Sequence, residues 1–156
     1  MSGDSLSWTS RSEEQTEQAG QALAAELTGG EILSLSGTLG AGKTVFVRGL
    51  ARGLGLEERA IASPSFVLAT LHPGQPGLLH VDLYRLADGA GIDDLGLEDA
   101  MEDGHVVAVE WGERLPEWLA PHAWTIRIDL AGDERRITAA PPLAATTRGD
   151  SSAPHG

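Results

Sequence analysis

The chain has 156 residues, the length of one domain, and no cysteine, so it has neither disulfide bonds nor thiolate metal ligands. Its formal net charge is −12, from 23 acidic against 11 basic residues, which argues against tight binding of nucleic acid by this chain alone. We find no signal peptide and no apolar run long enough to span a bilayer, and therefore expect a soluble, cytoplasmic protein without a membrane partner.

The N-terminal part predicts a possible edge strand followed by a helix. Residues 1–11 are polar and expected to be loose, although Leu6 and Trp8 alternate as they do in a short strand. The segment Ser12–Gln15 has the spacing of a capping box. The apolar positions that follow predict a helix that ends at Gly29.

Residues 37–44 fit the phosphate-binding pattern G-x-x-x-x-G-K-[ST] at every fixed position. Glycines let the backbone turn tightly and bring its N–H groups close to an anion. The ammonium of Lys43, the only lysine of the chain, can reach the β- and γ-phosphates, and the Thr44 hydroxyl can ligate Mg²⁺. Residues 31–36 predict a strand that enters the loop, and residues 45–54 predict a helix that leaves it. The predicted nucleotide contacts in this segment are Gly37, Leu39, Gly40, Ala41, Gly42, Lys43 and Thr44.

The rest of the chain predicts strands separated by turns and short helices. The predicted strands are the second half of residues 61–71, then 78–83, 106–109, 124–130 and 135–139; a short helix is predicted at 93–101 and a short helical turn at 114–119. We therefore predict an α/β fold, a three-layer domain like that of P-loop NTPases. Its central sheet should be mainly parallel with antiparallel edge strands, and its helices few. One nucleotide-binding domain should span residues 1–140, followed by a disordered tail at 141–156.

Two carboxylates are candidates to complete a nucleotide site. Asp82 shares a strand face with His80 and can hold Mg²⁺ directly or through water; the alternative is a solvent-facing strand end. For His80 we expect only a role in orienting Asp82 by a hydrogen bond. Glu110 follows the most apolar strand, and ligands of open α/β sheets bind beyond the carboxyl ends of strands. It can ligate Mg²⁺ or orient the attacking water, and the sequence leaves both roles open.

Three further residues have either a role in the site or a purely structural role. Trp111 either lines the nucleotide site or covers the core. Ser63 and Ser65 either form a switch segment that senses the γ-phosphate or belong to a turn that leads into a strand.

In combination these motifs resemble the bacterial TsaE proteins, formerly called YjeE. The resemblance rests on the phosphate loop, Ser63–Phe66, His80–Arg85 and Val109–Trp111, in that order, and covers about residues 6–140. It implies an ATPase that takes part in threonylcarbamoyladenosine synthesis in tRNA, with ATP and Mg²⁺ as cofactors. It also implies that the protein acts with TsaD and TsaB rather than transferring the group itself, and meets tRNA only through that complex.

The resemblance assigns roles residue by residue. It implies that the loop residues with Lys43 and Thr44 hold the phosphates and metal, that Asp82 and Glu110 serve the metal and water, and that Trp111 sits beside the nucleotide. Thr38 stands where many members have Asp, and Ser65 where many have Thr. The second change keeps a hydroxyl, and the first leaves the phosphate contacts intact.

Three other functions compete with a weak ATPase. A small-molecule kinase would share the phosphate loop, but it needs an arginine-bearing lid and an acceptor pocket, and no arginine-rich insertion is present. A GTPase would need an N-K-x-D segment, which a chain with Lys43 as its sole lysine does not have. A non-catalytic nucleotide sensor differs from the ATPase only in turnover.

Overall fold

The computed structural model describes residues 5–38, 42–57, 69–83, 96–111 and 115–143. The strands are β1 (Leu6–Ser10), β2 (Ile32–Gly37), β3 (Ala69–His72), β4 (Leu78–Asp82), β5 (Val106–Glu110), β6 (Ala123–Ala131) and β7 (Glu134–Ala140). The helices are α1 (Glu13–Ala24), α2 (Lys43–Gly53) and α3 (Leu97–Glu102), with a 3-10 turn at Ala120–His122. None of the described helices is long and apolar enough to cross a membrane.

All seven strands form one mixed sheet in the order β1-β7-β6-β2-β5-β4-β3. The four inner strands β6, β2, β5 and β4 run parallel to one another. The strands β1 and β7 at one edge and β3 at the other join by antiparallel pairing. The predicted α/β class, with a mainly parallel centre and antiparallel edges, is confirmed.

Apolar side chains cover both faces of the sheet, which gives the three layers. On one face the core includes Leu23 of α1, Phe46 and Leu50 of α2, and alternate residues of the strands. On the other face the core includes Leu97 of α3 and Leu119. The inner strands β4 and β5 are buried along their whole length, as expected of parallel strands covered on both faces.

Most predicted elements are present, with shifted ends. The Ser12 side chain accepts a hydrogen bond from the Gln15 N–H, which confirms the helix cap, although α1 ends at Ala24. The expectation of a loose N-terminus is wrong for Leu6–Ser10, because these residues pair with β7 as an edge strand. In the described part of residues 114–119 the predicted helical turn is present, since the Leu119 and Ala120 N–H groups both donate to the Pro116 carbonyl, and a 3-10 turn then leads into β6. Of the predicted tail, only residues 141–143 are described.

Helices α1 and α2 approach each other closely enough that only glycine fits at their contact. A Cβ on Gly49 would overlap the Glu17 carbonyl oxygen, and one on Gly20 would overlap the Phe46 carbonyl oxygen. Both glycines lie inside helices, where glycine is less favourable than alanine by about 1 kcal/mol. The close packing of the two backbones explains why glycine stands at these positions.

We predict that Gly49→Ala lowers the free energy of unfolding by about 1–3 kcal/mol, because the added methyl forces α2 away from α1. Urea unfolding followed by circular dichroism measures this change. Gln18→Ala, at an exposed position of α1, is the control and should change stability by less than about 0.5 kcal/mol. Helix propensity alone predicts the opposite sign for Gly49→Ala, so a more stable variant would contradict the packing argument.

Candidate functional site

The phosphate loop begins where β2 ends against β6. Gly37 has φ 128°, a conformation that favours glycine, and a Cβ there would overlap the Ile128 carbonyl oxygen. That carbonyl accepts a hydrogen bond from the Thr38 N–H at 3.1 Å. The Thr38 hydroxyl donates to Asp129 Oδ1 at 3.2 Å. The start of the loop is therefore anchored to β6, and Thr38 takes part in the anchor.

Helix α2 begins at the other end of the loop. Its first residue is preceded by Gly42, which adopts the left-handed conformation with φ 107°, and no side chain caps the helix. Backbone N–H groups at the start of a helix and its positive dipole end favour an anion such as phosphate. The predicted contacts Leu39, Gly40 and Ala41, between these two anchors, lie outside the described residues.

Lys43 is buried in this ligand-free geometry, with 6% of its surface exposed. Its ammonium donates a hydrogen bond to the Thr38 carbonyl at 3.2 Å and lies 5.4 Å from the centroid of the Trp111 ring. Trp111 has φ 64°, a strained conformation for a non-glycine residue. The turn after β5 thus directs the indole toward Lys43, and Trp111 also packs against the core. The expectation that Trp111 covers the core is confirmed, and its place beside a nucleotide stays a prediction.

Asp82 and Glu110 lie side by side at the carboxyl ends of neighbouring parallel strands, β4 and β5. Both are buried, with 7% and 5% of their surface exposed. Strand β5 also pairs with β2, which leads into the loop. The two predicted carboxylates and the phosphate loop therefore meet at the same edge of the sheet.

Glu110 is bonded directly to the first turn of α2. Its Oε2 accepts a hydrogen bond from the Thr44 hydroxyl at 2.9 Å. The same oxygen lies 2.7 Å from His80 Nε2. Burial raises the pKa of Glu110, but the hydrogen bond and charge of His80, the Thr44 hydroxyl and the charge of Lys43 outweigh it. The net result is a pKa below the ordinary value, so the carboxylate is ionised at neutral pH.

The observed contacts of His80 differ from the expectation that it orients Asp82. Its Nε2 is hydrogen-bonded to Glu110, on the adjacent strand, and its Nδ1 has no hydrogen-bond partner among the described residues. His80, Asp82 and Glu110 share a face of the sheet. His80 and Asp82 lie two positions apart on β4, and Glu110 is paired with Asp82 in register. Glu110 lies diagonally across from His80, whose direct cross-strand neighbour is Ala108, and the long Glu110 side chain spans this offset to the imidazole.

Arg135 is a site residue that the sequence reasoning missed. A methyl group on Gly42 would lie 3.6 Å from Arg135 Nε and 3.8 Å from Thr16 Cγ2. Arg135 is in β7, more than ninety positions along the chain from the loop. Nothing in its local sequence distinguishes it from Arg136, which points to the exposed side of the hairpin. Its place at the loop follows only from the pairing of β7 with β1 and β6.

The two switch candidates and three arginines that could contact a partner protein remain to be placed. The switch candidates Ser63 and Ser65 lie outside the described residues, as does Arg85. Arg48 and Arg52 form ion pairs with Glu17 of α1, at 3.5 and 3.9 Å. They therefore lie on the outer surface of the two packed helices.

Comparison with known proteins identifies the family. Residues 10–138 match the family model described as threonylcarbamoyl adenosine biosynthesis protein TsaE. The chain belongs to the TsaE family. It takes part, as its family does, in tRNA threonylcarbamoyladenosine biosynthesis. The order and spacing of the motifs had already indicated this resemblance.

Relatives from distant bacteria match over most of their length. The TsaE protein of Streptomyces coelicolor is 45% identical over 73% of this chain and 78% of its own length. That of Treponema pallidum is 39% identical over 84% of this chain and 97% of its own. The crystal structure of Bacillus subtilis YdiB superposes with a TM-score of 0.68 at 31% identity, covering 97% of this chain and 99% of that one. The P-loop NTPase-like fold is therefore confirmed.

We predict that the buried stem of Lys43 contributes to folding separately from its charge. Lys43→Met keeps an aliphatic stem beside Trp111 and should stay within about 1 kcal/mol of the parent in free energy of unfolding. Lys43→Ala removes that packing and should lose about 1–2 kcal/mol more. Urea unfolding without nucleotide or metal measures both. Equal stabilities of the two variants would show that the stem does not pack.

Proposed function

We propose that this protein binds ATP with Mg²⁺ at the phosphate loop, hydrolyses it weakly when alone, and supports threonylcarbamoyladenosine synthesis together with TsaB and TsaD. The observation that carries the proposal is the hydrogen bond between Thr44 Oγ1 and Glu110 Oε2 at 2.9 Å. It joins a phosphate-loop hydroxyl to a strand-end carboxylate, the pair that P-loop NTPases use to hold the metal. Family membership supplies the pathway.

The phosphates are bound by the loop and by Lys43. The ammonium donates to the Thr38 carbonyl, a neutral partner that a charged phosphate oxygen can replace. The aromatic face of Trp111 keeps the ammonium at the site without competing for its hydrogen bonds. Arg135, beside Gly42, supplies a second positive charge at the loop.

The oxygen atoms available at the site suit Mg²⁺. This ion is bound through one or two carboxylates together with phosphate oxygens and water. Among the described residues no group of three His, Cys, Asp or Glu side chains could hold a metal ion without such help. The Thr44 hydroxyl can ligate the metal through an oxygen lone pair while its O–H group donates to Glu110. When bound, the metal neutralises negative charge that develops on the phosphates.

The contacts favour different roles for the two carboxylates. Glu110 is engaged with Thr44, so we assign it to the metal. Asp82 lies beside it on β4, further from β2, and is assigned to orienting the attacking water. For Glu110 this is one of the two roles that the sequence allows, and for Asp82 it replaces the predicted metal role.

The proposed partners would complete the site. Arg48 and Arg52 are paired with Glu17 on the helical surface, where they are candidate docking contacts. An arginine finger supplied by a partner raises hydrolysis by roughly 10³–10⁵-fold in related NTPases. Since the chain carries a net charge of −12, we infer that tRNA binds to the complex and not to this protein directly. We place the proposed ATPase activity in the cytoplasm.

Reconstitution of tRNA threonylcarbamoylation with TsaB and TsaD tests the proposal. We expect the parent protein to raise the number of modified tRNAs per TsaD, and Lys43→Met to lose this effect and ATP binding while remaining folded. Circular dichroism checks the fold of the variant. A parent protein that neither binds the TsaB–TsaD pair nor raises modification, yet phosphorylates a metabolite, would replace this proposal with the kinase alternative.

We predict that Glu110→Gln and Asp82→Asn separate metal binding from hydrolysis. Glu110→Gln should raise the Mg²⁺ concentration needed for half-maximal ATP binding by about 10–100-fold. Asp82→Asn should leave that concentration nearly unchanged and slow hydrolysis by about 100-fold or more. Magnesium titrations of ATP binding and single-turnover hydrolysis distinguish them. The reverse pattern would exchange the two assignments, and normal behaviour of both would remove them from the site.

A further inference from the structure

His80 is a buried polar residue that, within the described parts of the chain, is hydrogen-bonded to the candidate metal site. Only 1% of its surface is exposed. It lies on the face of β4 that packs toward α2, between Leu78 and Asp82 along that face. Its Nε2 is 2.7 Å from Glu110 Oε2, the same oxygen that accepts the Thr44 hydroxyl.

The chemistry of the pair fixes the direction of this bond. An ionised carboxylate can only accept, so the proton lies on His80 Nε2 and the ring donates to Glu110. His80 Nδ1 has no partner among the described residues, so the bond to Glu110 is the polar contact that orients the ring. One carboxylate oxygen thus receives two donors from two different elements, β4 and α2.

Packing alone does not account for a histidine at this position. Its neighbours on the same face include Leu78 and, on the adjacent strand, Val106 and Ala108, all buried. An apolar side chain fills such a place without the cost of burying an imidazole nitrogen that lacks a partner. What the histidine adds, and leucine does not, is the N–H group directed at Glu110.

We propose that His80 is a positioning residue for magnesium: it holds Glu110 in the orientation that keeps the Thr44 lone pairs directed at the metal. The proposal rests on the proposed function, because it assumes that Glu110 and Thr44 serve a metal-bound nucleotide. Without the His80 donor, the Glu110 side chain loses one of its two restraints and samples other rotamers. Groups that orient a metal ligand in this way typically change metal affinity by about 10–100-fold when they are removed.

The test compares His80→Leu, which is similar in size and has no donor, with His80→Gln, which keeps an N–H donor. The control is Val81→Ala, which alters the opposite face of the same strand. Magnesium titrations of the binding of a fluorescent ATP analogue give the Mg²⁺ requirement. The same binding in EDTA gives the metal-free nucleotide affinity, and thermal unfolding in EDTA gives Tm.

We expect His80→Leu to raise the Mg²⁺ requirement at least about 10-fold while metal-free nucleotide affinity and Tm stay near the parent values. His80→Gln should recover part of the loss, and Val81→Ala should lower Tm without changing the Mg²⁺ requirement. An unchanged Mg²⁺ requirement in His80→Leu would overturn the inference, as would a His80→Leu protein that does not fold or a His80→Gln protein no better than His80→Leu. A parent protein without Mg²⁺-dependent nucleotide binding would instead overturn the proposed function itself.

Discussion

A single atom, Glu110 Oε2, connects three elements that meet at the candidate site. Thr44 reaches it from the first turn of α2 and His80 reaches it from β4, while Glu110 itself ends β5. The contact depends on the strand register, because a shift of β5 by one residue would turn Glu110 to the opposite face of the sheet. It also fixes the rotation of α2 about its axis, since only one side of the first turn faces β5.

The packing of α1 against α2 helps to hold the Thr44–Glu110 hydrogen bond in place. Gly49 and Gly20 let the two backbones approach until each meets a carbonyl of the other helix. Near the start of α2, Thr16 of α1 lies beside Gly42, so α1 borders the phosphate loop as well as the core. A helix held this closely along its length leaves its first turn little freedom. The geometry of the candidate site therefore depends on helix packing further along α2, beyond the phosphate loop.

The sequence was sufficient for those features that depend on neighbouring residues. The phosphate loop between a strand and a helix, and the Ser12 cap, follow from local patterns, and both are present. The partner of His80 was not predictable, because it depends on which strand lies beside β4 and in what register. Arg135 was missed for the same reason. The burial of Lys43 was also unexpected, since it depends on the unusual backbone conformation of Trp111.

The charges at the site link nucleotide and metal to each other. Two buried carboxylates, Asp82 and Glu110, lie beside the loop, where Lys43 supplies one buried positive charge. A polyphosphate brought to this edge alone would be repelled by the carboxylates at short range and low dielectric. A divalent cation between them reverses the sign of that interaction, and linkage requires each ligand to raise the affinity of the other by the same factor. The burial of the carboxylates strengthens this coupling, because water screens their charge less than it would at the surface. Under the proposed function, the same arrangement would disfavour ATP alone and favour the metal–nucleotide complex as a unit.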